Sequence, residues 1–160
     1  MIFDLSEFTV GTIGHAQGLS LVLPRDNYEE AVLVAPGKPR TAIFLEGAHP
    51  FHGFTFEEND SWKGLIIPHV RIEVDISSAF STESRHAPAG SVIRRSTYLA
   101  IAVSIGSPGG FSQLQRVPLV SELAPCEEGY SSGFLKWQIV LGDGERKRIL
   151  RAVQIEGPGR

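Results

Sequence analysis

The sequence predicts an all-β fold: an antiparallel β-sandwich or flattened barrel of about 8–10 strands, with at most one or two short helical turns. Three observations carry this expectation. The 17 glycines and 10 prolines are scattered along the 160 residues. They divide the chain about every 8–15 residues, the spacing of short strands joined by turns. The segments between them are rich in Val, Ile, Thr and aromatic residues, and the clearest of them alternate apolar and polar positions, the period of a half-buried strand. Helix signals are sparse. Asp26-Asn27-Tyr28-Glu29 fits a capping box, but Ala31-Val32-Leu33-Val34 follows, and residues 121–124 leave room for one turn before Pro125.

Taken in order, residues 7–13, 19–23, 30–35 and 41–45 read as strands of a meander. Pro36-Gly37-Lys38-Pro39 is a turn, because proline fixes φ and glycine permits positive φ. Residues 63–67 form a short strand ended by Pro68, which cannot donate to a ladder. Residues 69–76 alternate completely, with Val70, Ile72, Val74 and Ile76 toward the core and His69, Arg71, Glu73 and Asp75 outward. Residues 92–105 read as a second long strand. Ile93, Leu99, Ile101, Val103 and Ile105 share one face, and Arg94, Tyr98, Ala100 and Ala102 the other; the small residues there call for something packed close over them. Residues 134–155 read as a hairpin around Gly142-Asp143-Gly144. A two-residue turn pairs Trp137 with Leu150, and a three-residue loop pairs it with Ile149. Residues 77–90 and 106–133 are the long connections. No repeat, low-complexity tract or dividing linker interrupts the chain, so residues 1–160 read as a single β domain.

Composition narrows the function. At 42% apolar and 21% charged the chain is too apolar to be disordered. Its net charge of −3 makes nucleic acid an unexpected partner. The one cysteine, Cys126, excludes an internal disulfide and a multi-thiolate metal site. No apolar run approaches the roughly 20 residues of a membrane helix. Residues 1–7 lack a secretory signal pattern, so a cytoplasmic protein with no membrane association is expected. Residues 1–80 carry 11 acids against 5 Lys and Arg, and residues 81–160 carry 7 against 10. Such asymmetry marks either a contact between subunits or two ordinary solvated faces.

Chemistry concentrates at Glu46-Gly47-Ala48-His49-Pro50-Phe51-His52. Two histidines three apart beside a carboxylate suit a loop that holds a divalent metal, with Glu46, His49 and His52 as ligands; the ordinary alternative is a polar turn at a sheet edge. Phe51, Phe54, Phe56 and Trp62 crowd into the same stretch, as a hydrophobic plug, a subunit interface or a stacking platform for a ligand, in that order. Arg71 and Glu73 on the strand 69–76, joined by Arg94 and Tyr98 if the strand from residue 92 lies beside it, could hold a polar ligand; a solvated face of paired charges is the ordinary reading. Gly106-Ser107-Pro108-Gly109-Gly110 lacks the residues of a phosphate loop and reads as a flexible turn.

No catalytic motif appears, so the reading leans away from an enzyme. The expected function is a non-catalytic binding or interaction protein that acts through the 46–62 loop as a homo-oligomer. The ligand residues would be Phe51, Phe54, Trp62, Arg71, Glu73, Arg94 and Tyr98, and the ligand a small molecule or carbohydrate. The alternatives are a small metal-assisted hydrolase or isomerase, and a structural component of a larger assembly.

Overall fold

The computed structural model describes residues 6–25, 30–37, 39–57, 62–82, 87–95, 98–106, 112–119 and 132–157. Among them are the strands β1 (Thr9–Thr12), β2 (Ser20–Pro24), β3 (Val32–Ala35), β4 (Arg40–Phe44), β5 (His52–Phe56), β6 (Lys63–Ile67) and β7 (Arg71–Val74). The second half adds β8 (Ala79–Ser81), β9 (Val92–Arg95), β10 (Tyr98–Gly106), β11 (Ser112–Pro118), β12 (Ser132–Phe134), β13 (Lys136–Leu141) and β14 (Arg148–Gln154). Helical structure among the described residues is confined to 3₁₀ turns at Ile13–His15, Ile76–Ser78 and Gly144–Arg146. The chain is all-β, as its punctuation predicts.

Eleven strands form one sheet in the order β1-β6-β2-β3-β4-β5-β10-β9-β12-β8, with β11 paired to β10, and β14-β13-β7 form a second. Pairing is antiparallel except between β5 and β10. The small sheet covers one face of the large one. Leu21, Leu33, Ile43, Ile67, Ile101 and Val103 from the large sheet meet Trp137, Ile139 and Leu150 from the small one. The opposite face is buried as well: Val22, Val32, Val34, Ala42 and Ile66 pack with Ile13, Ala16 and Phe56. This explains why β3 is apolar throughout, since a strand covered on both faces has no solvent side to mark with polar residues. Each fully buried aliphatic side chain contributes about 1.5–3 kcal/mol, against about 0–1 kcal/mol for an exposed ion pair, so these layers and not surface charge hold the fold.

The structure corrects several expectations. Residues 92–105 are not one strand but the hairpin β9–β10, whose register sets Ile93 opposite Ala100 and Val92 opposite Ile101. Reversal of the chain changes which residues share a face. Ile93 therefore leaves the side of Ile101 and packs with Ala87, Ala100, Ala102 and Phe80, which supplies the close cover that the two alanines require. The strand 69–76 is shorter than its alternation. Asp75 caps the turn Ile76–Ser78 through its side chain and the Ser77 amide, which throws Ile76 out to 79% exposure.

The C-terminal hairpin has neither expected register. Trp137 pairs with Val153, a bulge falls between Ile139 and Val140, and Leu141 pairs with Arg148. The connection is longer because Arg71 on β7 holds it, pairing with Asp143 and donating to the Gly142 carbonyl at 2.8 Å. The supposed loop 46–62 contains β5, and the two long connections contain β8, β11 and β12, which raises the strand number above the expected range. The residues 26–29, 121–124, Cys126, His86 and the glycine-rich residues 107–110 lie outside the described residues.

Candidate functional site

The turn between β4 and β5 carries the densest chemistry. Leu45 N–H donates to Ala31 O at 3.0 Å and continues the β3–β4 pairing past its end. Phe51 then bonds in two directions: its N–H donates to Phe44 O at 2.7 Å and its carbonyl accepts from Ser104 N–H at 3.0 Å. Meeting both partners puts Phe51 at φ 59°, a left-handed conformation that costs a non-glycine residue about 1 kcal/mol or more. The strain places His49 and His52 on one side, with ring centroids 6.5 Å apart.

These two rings, Glu30, Glu46, Gly47, Ala48 and a floor of Phe44 line a cleft of about 170 Å³. Gly47 has φ 95°, and a Cβ there would stand 3.2 Å from a Glu30 carboxylate oxygen, so glycine lets the turn close against Glu30. Glu46 is ion-paired to Arg151 of β14. The His52 Nε2 is hydrogen-bonded to the Gly106 carbonyl; because a carbonyl only accepts, Nε2 is the donor.

The predicted site residues separate into different parts of the fold. Phe51 packs against the main core. Phe54 and Trp62 belong to the opposite face, where Phe54 lies 5.6 Å from Phe44, 6.3 Å from Phe56 and 6.3 Å from Trp62 between centroids. That arrangement is a half-buried aromatic plug. Arg71 and Glu73 lie on β7, whose sheet neighbour is β13, whereas Arg94 and Tyr98 lie on the β9–β10 hairpin. The expectation that strand pairing sets the four side by side is therefore overturned.

Glu73 and Arg71 instead belong to a self-satisfied network on the outer face of the small sheet. Glu73 pairs with Lys147 and accepts from Gln138 at 3.1 Å, with Arg71 at 4.0 Å. The hydrogen bonds from Lys147 and then Gln138 hold the Glu73 carboxyl below its ordinary range. Asp75 is held low by the Ser77 hydroxyl at 2.6 Å and the Ser77 amide at 2.9 Å.

Sequence reasoning missed Glu30 and Phe44, which line the cleft, and Arg151, which pairs with Glu46 from within β14. The only trace of Arg151 was the charge asymmetry. Glu7–Arg148, Glu46–Arg151 and Glu73–Lys147 each join an acid of the first half to a base of the second within one chain. No group of three or more metal-ligating side chains occurs among the described residues, and His15 bonds Thr12 at 2.7 Å, away from the His49–His52 pair.

Fold and cleft together define a two-sheet, all-β protein with a small cleft beside a strained turn. The chain belongs to the y4lG family: the family described as "Uncharacterised protein y4lG" matches residues 10–160. The "Uncharacterized protein y4lG" of Sinorhizobium fredii (strain NBRC 101917 / NGR234) is 46% identical over 147 residues, covering 91% of this chain and 89% of the relative. No solved structure matches the chain. Among the described residues no helix is long and apolar enough to cross a membrane.

Proposed function

We propose that the protein is a non-catalytic binding protein of the cytoplasm that acts through the region 46–62, with the cleft at Glu30, Glu46, His49 and His52 as its contact point. The observation that carries this reading is the strained Phe51, which fixes the turn that shapes the cleft. Strain of this kind persists where the surroundings over-determine it, and it clusters at ligand-holding sites. The cleft, at about 170 Å³, is smaller than the roughly 300–1,000 Å³ of drug-sized pockets. Its lining is mainly apolar, with Phe44 as the floor and the Glu30 and Glu46 carboxylates beside it, which suits a small ligand with one apolar face and a few hydroxyl donors, such as a monosaccharide. Self-association is part of the proposal and rests on the exposed Ile76 and Leu114; light scattering tests it, and a monomer at every concentration removes it.

The test of the cleft is a thermal-melt series on the full chain with a panel of monosaccharides. A ligand at about 100 times its Kd stabilises by about 2.7 kcal/mol, several degrees for a domain of this size. The rise is expected to vanish in His49→Ala. A rise that survives this substitution moves the site elsewhere. The metal-assisted reading is favoured by the His49–His52 pair, in which the Gly106 bond engages Nε2 of His52 and not Nδ1. It requires Glu46 to leave Arg151 and the rings to close in, since two imidazoles on one tetrahedral zinc hold their centroids about 5 Å apart. The same melts with zinc, manganese and nickel chlorides and a chelator test it.

A further inference from the structure

The large sheet ends at β1, which pairs only with β6 among the described residues. The register sets Thr9 opposite Ile66, Val10 opposite Leu65, Gly11 opposite Gly64 and Thr12 opposite Lys63. The ladder continues with Ile13 N–H donating to Trp62 O at 2.7 Å. Antiparallel ladders alternate bonded and non-bonded pairs, so Thr9, Gly11 and Ile13 bond toward β6. Val10 and Thr12 therefore turn their N–H and C=O groups to the open edge.

Side chains add a second, independent feature. Val10, Leu65 and Leu23 form one cross-strand row, on the face that the small sheet covers further along. Here it emerges from under that cover, with Val10 at 76% exposure. The cover ends at the Glu7–Arg148 pair. Beyond the apolar row lie Thr12, Lys63 and Arg25, whose N–H donates to Lys63 O at 3.0 Å. The cleft along this edge measures about 600 Å³, and among the described residues its lining holds two cations, Arg25 and Lys63, and no carboxylate.

We propose that β1 is a docking edge for an acidic, extended peptide segment of a partner protein, which adds as a strand beside Val10 and Thr12 and sets its carboxylates against Lys63 and Arg25. Main-chain bonds at an open edge give such binding its affinity, and the flanking side chains give its specificity. The charge favours an acidic partner over a second copy of this chain, since a second copy brings the same two cations to the edge. The edge shares no lining residue with the cleft at Glu30, Glu46, His49 and His52, so the two readings stand or fall independently.

The experiment is fluorescence anisotropy of the full chain with a labelled probe peptide, acetyl-Thr-Glu-Thr-Val-Thr-Glu-Thr-amide, against the same peptide with lysine for glutamate. Saturable binding of the acidic peptide is expected, weakened by salt because exposed charges are screened. Lys63→Glu and Arg25→Glu are each expected to weaken it by about tenfold, as rim charges do when reversed. Thr12→Pro removes an outward N–H without breaking the β6 ladder and is expected to abolish binding; edge strands tolerate proline. His49→Ala should leave it unchanged. Equal binding of the lysine peptide, or no response to Lys63→Glu and Arg25→Glu, overturns the proposal. So does a dimer that Thr12→Pro dissociates, because the edge is then occupied by a second copy. If Thr12→Pro melts early, the two charge reversals decide alone.

Discussion

The indole N–H of Trp137 donates to the carbonyl oxygen of Gly90 at 2.8 Å in the buried interior. Gly90 is itself tied to the large sheet by its own N–H, which donates to Ala102 O at 2.6 Å. This buried polar contact thus ties the small sheet to the large one through an apolar core. Removing it by Trp137→Phe leaves the Gly90 carbonyl without its donor and is expected to cost about 1–3 kcal/mol. Urea denaturation checks this: the midpoint should fall with the slope unchanged.

Gly90 is also a point of closest approach. Its φ is 89°, and a Cβ there would lie 2.4 Å from Phe51 Cδ2 and 2.5 Å from Ile155 Cδ1. Gly90→Ala is expected to destabilise by about 3 kcal/mol, combining overpacking and a left-handed backbone. The same denaturation series reads it. Because Phe51 must move, the monosaccharide response of the cleft should weaken too.

His69 tests the opposite sign. It is exposed, and its φ is 58°, so its side chain contributes backbone strain and little packing. His69→Gly relieves that strain while raising unfolded-chain entropy, and a net gain of about 0.5–1 kcal/mol is expected. A lower melting temperature in the variant would show that the ring makes a favourable contact.

Acid sensitivity follows from Glu73 and Asp75. Both carboxyls are held below their ordinary values, by Lys147 and Gln138 for the first and by Ser77 for the second. The unfolded chain therefore binds protons first. Their stabilisation is present above the ordinary carboxylate range and is lost as pH falls through the lower folded values. Melting temperature should drop on acidification, and Glu73→Gln with Asp75→Asn should flatten the drop. An unchanged profile in the double variant would assign the acid loss to other groups.

The strands that could be read from the chain were those with one plain face or a clear stop. Val32–Ala35, Arg40–Phe44 and Lys63–Ile67 fall where apolar runs and prolines put them. Of the strands that escaped notice, His52–Phe56, Ala79–Ser81 and Ser132–Phe134 are short or carry glycine and histidine, and Ser112–Pro118 is longer but largely polar; Ala79–Ser81 and Ser132–Phe134 also gain their ladders from partners distant in sequence. Gly53 illustrates this: a Cβ there would stand 2.5 Å from Val103 Cγ1, a constraint from fifty residues away that leaves no local pattern. In the same way the histidine pair was visible as a spacing, but Glu30 and Arg151 were not.

Local alternation and punctuation were enough to determine that this chain is all-β, because side-chain direction and turn chemistry act over a few residues. Tertiary structure alone decided that residues 92–105 fold back as a hairpin, that Arg71 lengthens the 142–147 connection, and that Phe51 lies in the core while Phe54 lies on the other face. Those outcomes depend on which strands meet. Strand order is set by the burial of whole faces, a sum over contacts distant in sequence, and no window of the chain contains it.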